Sequence, residues 1–239
     1  MSSTMLALIL LCVTFVGLLL LRFPIALVLA ASTIVAASVV DLPLAAIGQQ
    51  MVQGLNSYTL LAIPFFILAG HIMSEGGLAV RLVNLAQLFV GMIRGGLAMV
   101  NCVACLLFGN ISGSAAADAS SVGSVMIPMM KKKNYDADFT VALTSAAAIQ
   151  GVVMPPSHNM IIYAVAAGGV SISALFMAGV VPAFIMLIAL MITAYFIARK
   201  RGYEKAEPVP LREVPRIIRD GFLSLMTGVI ILGGIFTGW

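Results

Sequence analysis

Two clusters of polar residues interrupt an otherwise apolar chain, and both are built from ion-binding residue types. The first runs from Asn110 to Asp118, reading NISGSAAAD, with Ser120 and Ser121 just beyond it. The second runs from Gly151 to Asn159, reading GVVMPPSHN. Asn110, Ser112 and Ser114 offer side-chain oxygens, and the intervening glycine lets backbone carbonyls approach closely. Such oxygens are hard ligands that suit Na⁺. Asp118 adds a carboxylate, and a carboxylate at membrane depth costs at least ~2.5 kcal/mol on insertion scales. Asp118 must therefore be paired, hydrated or beside a bound cation. The Pro155-Pro156 pair removes two amide donors and forces the preceding residues out of helix. A helix broken there exposes carbonyls at one end and amides at the other, and the amide end suits a carboxylate.

Each cluster also has a plainer reading. Ser/Gly/Ala segments often serve only close helix packing, and a lone proline pair is more often a kink than a site. His158 alone reads as a hydrogen-bonded helix-end histidine, and His71 reads as structural. Two such interruptions so near each other, each cutting an apolar run, favour a site over packing.

The surrounding chain must be a membrane protein. Of its 239 residues 62% are hydrophobic and 9% charged, with a mean hydropathy of +1.12. Soluble domains carry about 25% charged residues. In lipid every backbone polar group must be satisfied internally, by helices or a closed barrel. A barrel would show alternating segments of about ten residues. This chain instead has unbroken apolar runs, which predicts an all-α polytopic membrane protein.

The runs are Met5–Leu21, Ile25–Val40, Thr59–Met73 and Ser173–Ala198, with a last one beginning at Phe222. Pro24 suits the first turn of the second helix. Leu42–Asn56, with three glutamines, reads as an amphipathic connector, and Leu78–Ile93 as a helix lying along the membrane. Leu97–Phe108 is too short to span and meets a Gly/Ser/Asn break at Gly109–Ser114, followed by a second short helix, Ala115–Met130. Two half-length helices meeting at a break predict a re-entrant hairpin. Phe139–Met154 and Met160–Ala167 read as one crossing, interrupted by the prolines.

The net charge of +4 is concentrated in basic blocks, Lys131–Lys133 and Arg199–Arg201, with Arg212, Arg216 and Arg219 beyond. These predict cytoplasmic loops, and the two crossings between them agree with that. Counting back puts the N-terminus outside. Nucleic-acid binding does not fit charges that cap apolar runs. Cys102 and Cys105 lack the second pair a zinc ribbon needs, so they read as small packing residues. No basic region precedes Met5, so the first run is expected to be retained rather than cleaved. The Gly91/Gly95 and Gly234/Gly238 spacings are weak helix-packing signals.

The order of these motifs resembles the large membrane (M) subunit of tripartite ATP-independent periplasmic (TRAP) transporters. The matching stretches are NSYTLLAIPFFILAG from Asn56, GNISGSAAAD from Gly109, SVMIPMMK from Ser124, Asn134-Tyr135, and GVVMPPS from Gly151. The resemblance covers essentially the whole chain. It implies the first inverted repeat of an elevator-type ion-transporter fold with a re-entrant helical hairpin and an interrupted transmembrane helix. It further implies Na⁺-coupled transport of small organic anions across the bacterial inner membrane, with a periplasmic substrate-binding protein and a small four-helix membrane subunit as partners. On this basis residues 1–93 are scaffold and arm helices and 94–170 belong to the transport domain, with the hairpin at 95–130 and the broken helix at 139–167. Residues 171–198 form a transmembrane helix, 199–220 a cytoplasmic inter-repeat loop, and 221–239 the start of a second repeat.

Carried onto this sequence, the resemblance implies a sodium site of Asn110, Ser112, Gly113, Asp118, Gly151 and Val153. The substrate would meet Ser114, Pro155, Pro156, Ser157 and His158. The family's subunit is nearly twice as long, so the chain is expected to be a fragment or half of a split subunit. His158 is not expected directly after PPS, and its role stays open. Two rivals remain. One is a membrane scaffold with no site of its own. The other is an intramembrane serine protease using Ser112 and His158, whose Gly109-x-x-Ser112-Gly113 spacing is one residue too long for GxSG.

Overall fold

The computed structural model describes residues 3–56 and 58–237. Met1, Ser2, Ser57, Gly238 and Trp239 lie outside the described residues, and so does the Gly234/Gly238 spacing. Every regular element among the described residues is a helix. The chain forms two compact units, residues 1–57 and 58–239.

The first unit holds α1 (Ser3–Leu20), α2 (Ile25–Val39) and α3 (Leu44–Leu55). α1 and α2 pack along each other. Pro24 is the residue before α2, one position earlier than expected, and its carbonyl accepts from the amides of Leu27 and Val28. Most apolar side chains here face outward, as in a surface facing lipid or another protein. The few hydroxyls turn back onto their own helices: Thr14 donates to the Leu10 carbonyl at 2.7 Å and Thr33 to that of Leu29 at 2.7 Å. That internal satisfaction is what a helix without water requires. α1 is long and apolar enough to cross a membrane.

The second unit opens with α4 (Tyr58–Glu75) and α5 (Leu78–Val90). α5 buries Leu78, Leu82, Val83 and Ala86 on one face, packed against α6 (Gly96–Ser112). α6 and α7 (Ala115–Lys132) form a helical hairpin that turns at Gly113. α6 is longer than the sequence suggested. Gly109, Asn110, Ile111 and Ser112 continue the helix rather than break it. Burial explains the difference, since packing on every side outweighs the weak helix propensity of Gly, Asn and Ser. Only Gly113, at φ +61°, leaves the helical path, a conformation glycine adopts without a Cβ clash.

The next crossing is interrupted where the prolines predict. α8 (Ala137–Ala148) and the short α9 (Gln150–Val153) are followed by extended Met154, the cis-linked Pro155-Pro156 and Ser157. α10 (His158–Ala167) then leaves at 48° to the α8–α9 direction. α11 (Ile172–Arg201) and α12 (Val214–Thr237) complete the unit, and both contain a stretch long and apolar enough to span. α12 starts at Val214, well before the expected Phe222. Pro215 sits in its first turn, where its missing amide is harmless, and Arg216 pairs with Asp220 one turn on.

The first half of the connection between α11 and α12 is bonded to the hairpin end of the unit. The Ala206 amide donates to the Gly91 carbonyl, and the Gly95 amide to that of Glu204. Lys133 pairs with Glu207. The Tyr203 ring stacks on Tyr135 at 4.0 Å, and its hydroxyl donates to Asp136 at 2.7 Å. Arg201 pairs with Asp136 and Asp138. The two basic blocks, read from the sequence as lying on one side, therefore meet at one end of this unit.

Tyr203 first, then Arg201, holds the Asp136 carboxyl below the ordinary carboxylate range. A lowered native value stabilises the fold above the unfolded carboxylate pKa of about 3.9, and the contribution disappears as pH falls through the native value. Thermal melts of the wild type and Asp136→Asn are therefore expected to differ at pH 7, to begin to approach near about pH 4, and to meet only once the pH falls below the lowered native value. The gap should be small, because the ion pair is solvent-screened.

Candidate functional site

The hairpin and the broken helix meet through a pair of glycines. A β-carbon on Gly109 would lie 2.3 Å from the Gly151 Cα, and one on Gly151 would lie 2.9 Å from the Gly109 Cα. No side chain fits at either position, so α6 touches α9 backbone to backbone. Asp118, from the first turn of α7, reaches into this contact. Its Oδ2 would lie 2.8 Å from a β-carbon on Gly109 and 2.0 Å from one on Gly151.

Asp118 is 0% exposed. Its Oδ1 accepts from the Ser112 hydroxyl, while Oδ2 has no hydrogen-bond partner. Among the described residues it has no ion-pair partner. Burying an uncompensated carboxylate costs several kcal/mol even after relaxation. Other buried acceptors close to this junction in the chain also lack partners: Asn110 Oδ1, Gln150 Oε1 and Ser157 Oγ. Gln150 spends its amide on the Ala147 carbonyl at 3.1 Å, leaving its oxygen free. One carboxylate among neutral oxygens carries a single negative charge, which a monovalent hard cation balances.

The hairpin tip itself rests on the break. A β-carbon on Gly113 would lie 3.0 Å from the Pro156 carbonyl oxygen and 3.0 Å from the Ser157 Cα. The N-termini of α7 and α10 are thereby brought to one place. Ser114 caps α7 by accepting from the Ala117 amide at 3.4 Å. Ser157 precedes α10 but makes no such capping bond. Beside them opens a cavity of about 430 Å³, lined by Ser112, Ser114 and His158 and, from α4, by His71 and Ser74.

The structure thus brings Ser112, Asp118 and Gly151 together at the glycine contact. It also brings Gly113 together with Pro156, Ser157 and His158. It does not place Asn110 and Val153 in that group by any contact. The Asn110 amide lies against Gly228 of α12, and the Val153 carbonyl against Gly179 of α11, where a β-carbon would lie 2.6 Å away. Pro155 is buried within the break. Sequence reasoning missed Gly109, read only as part of the break, and Gln150, which looks like one more helix residue. It also left His71 and Ser74 outside the site.

With this geometry in place, comparison with known proteins decides the family. The sequence profile of the "Tripartite ATP-independent periplasmic transporter, DctM component" family matches residues 12–239. This chain belongs to that family. The sialic acid TRAP transporter large permease protein SiaM of Vibrio cholerae is 46% identical over 190 residues, which cover 80% of this chain and 44% of that protein. The C4-dicarboxylate TRAP transporter large permease protein DctM of Pseudomonas aeruginosa is 43% identical over 181 residues, covering 76% and 42%. The 2,3-diketo-L-gulonate TRAP transporter large permease protein YiaN of Escherichia coli is 38% identical over 190 residues, covering 80% and 44%. The chain spans about half the length of the curated relatives it matches.

Within this DctM-family chain the glycine pair should tolerate no side chain. Gly109→Ala and Gly151→Ala each force backbone apart and are expected to lose ~1–3 kcal/mol, the cost of overpacking. Gly48→Ala in α3, with no atom within 4 Å of the new carbon, is expected to be neutral or to gain up to ~1 kcal/mol from helix propensity. Thermal unfolding of the three purified variants checks the contrast.

Proposed function

We propose that this chain supplies one repeat of the large permease of a tripartite carrier that moves small organic anions across the bacterial inner membrane, coupled to Na⁺. The substrate class spans C4-dicarboxylates and other carboxylates. A periplasmic binding protein delivers the substrate, and a small four-helix membrane subunit completes the scaffold. Family membership supports the class of function. The observation that carries the coupling is the buried Asp118 oxygen, left unpartnered where the Gly109 backbone of the hairpin meets the Gly151 backbone of the broken helix.

Na⁺ is the cargo that answers this charge. Asp118, Ser112 and the backbone beside Gly109 and Gly151 form its cradle, with Gln150 Oε1, one residue before Gly151, as a further unpartnered oxygen. Binding the ion draws α6, α7 and α9 onto one centre and so fixes the hairpin tip against the break. The substrate carboxylate then meets the N-termini of α7 and α10, near Ser114, Ser157 and His158, where unsatisfied amides favour an anion. Without the cation the tip is not held, and the anion meets a loosened site beside a bare carboxylate. That difference in affinity is the coupling free energy. The hairpin then travels with its cargo as an elevator, entering the membrane without crossing it.

Against the protease reading stands the bond of Ser112, whose hydroxyl donates to Asp118 while His158 Nδ1 has no partner. A nucleophilic serine needs its base within hydrogen-bond reach. Against a scaffold without a site stand the unpartnered oxygens, which packing alone would leave at a loss.

In the full-length carrier, reconstituted with its partners in proteoliposomes, Ser112→Ala and Asp118→Asn are expected to raise the Na⁺ concentration for half-maximal uptake at least ~10-fold, about 1.4 kcal/mol of lost ion binding. Ser157→Ala is expected to weaken substrate binding. An unchanged Na⁺ requirement in the first two variants removes the ligand assignment.

A further inference from the structure

We propose that the cavity beside the hairpin tip selects a carboxylate whose other end is hydroxylated, and that His71, Ser74 and Ser121 read that end. This inference rests on the carrier function proposed above and concerns its substrate class.

The cavity, about 430 Å³, lies within the range of ~300–1,000 Å³ usual for small-molecule sites. One wall is the hairpin tip and the first turns of α7, another is the α4 face carrying Ile67, Gly70, His71 and Ser74, and His158 closes a corner. α4 is seated closely there: a β-carbon on Gly70 would lie 3.5 Å from the Ser112 Cα. The hydroxyls of Ser74 and Ser121 bond to each other across α4 and α7. The polar side chains of the lining are five serines and two histidines. No Lys or Arg lines it among the described residues.

This lining decides between substrate classes. Hydroxyl groups both donate and accept, and a neutral imidazole has one nitrogen for each role. They therefore suit a partner that also does both, such as the hydroxyls of a sugar acid. A second carboxylate accepts only, and once desolvated it calls for a cationic partner. Here the one substrate charge is met at the helix N-termini, and the remaining surface contributed by the described residues is neutral. Ser112 joins the two compartments. Its hydroxyl donates to Asp118, and its residue lines the cavity. Ion and substrate are thus read by neighbouring faces of one turn. Sites that hydrogen-bond a substrate hydroxyl discriminate strongly against analogues lacking it, because buried polar groups are then left unpaired.

The test uses the purified full-length permease with its small subunit in lipid nanodiscs, without the binding protein, whose own selectivity would intervene. Calorimetric titration in Na⁺ compares D-gluconate, D-glucuronate and N-acetylneuraminate, each one carboxylate with several hydroxyls, against succinate, two carboxylates with none. At least one hydroxylated acid is expected to bind at least ~10-fold more tightly than succinate. His71→Ala and Ser74→Ala are expected to weaken that acid ~10-fold while Na⁺-induced thermal stabilisation stays intact, which also reports correct folding. His71→Gln, which keeps a donor and an acceptor, should recover most of the loss. Succinate binding as tightly as every hydroxylated acid overturns the inference. So does unchanged binding in both alanine variants, or failure of all the hydroxylated acids to bind while Na⁺ still stabilises the protein. Loss of the Na⁺ effect in the wild type would instead remove the carrier reading beneath it.

Discussion

A carboxylate without a proton donor on one of its oxygens, pressed between two glycine backbones, sets the terms for this fold. Asp118 is fully buried, and Ser112 satisfies only one of its oxygens. The arrangement holds only if the helices carrying Gly109 and Gly151 stay in backbone contact, because any side chain there would displace the carboxylate. The hairpin turn, the broken crossing and the position of α7 all follow from that contact. Gly113 turns the chain so that α7 can present Asp118, and the prolines end α9 so that Gly151 lies in the last turn before the break.

A second, entirely different set of interactions holds the opposite end of the hairpin. There the contacts are aromatic stacking, an ion pair and backbone hydrogen bonds from the 202–207 segment. Between the two ends the buried polar side chains described in α6 and α8 are paired. Asn101 donates to Thr144 at 2.7 Å, and Thr144 to the Thr140 carbonyl at 2.8 Å, tying α6 to α8 with no orphaned group. The contrast is informative. Polar groups in the shaft are paired, whereas those at the tip are left open, which is the distribution expected of a rigid body with a binding end.

Much of this was legible in the sequence because it depends on local rules. Apolar run lengths located the helices, and Pro155-Pro156 located the break, since proline acts on its immediate neighbours. What was not legible depends on contacts between distant segments. Nothing about Gly109 marks it as the partner of Gly151, and its local company of Asn and Ser suggested an ended helix where burial sustains one to Ser112. Gln150 looked like an ordinary helical residue until its oxygen was found buried and unbonded. His71 and Ser74 belong to the cavity only because α4 packs beside the hairpin tip, a contact between segments some forty residues apart. The start of α12 at Val214 was hidden by charges that suggested a longer loop, although Arg216 and Asp220 at helical spacing were a usable signal.

The Tyr203–Glu207 segment has a mechanical consequence. A chain fastened by its backbone to Gly91 and Gly95, and by its side chains to Lys133 and Asp136, has no slack. It behaves as a splint rather than a leash. A shift of the hairpin's Gly95 and Lys133 end would therefore be shared by the C-terminal end of α11, which leads straight into this segment.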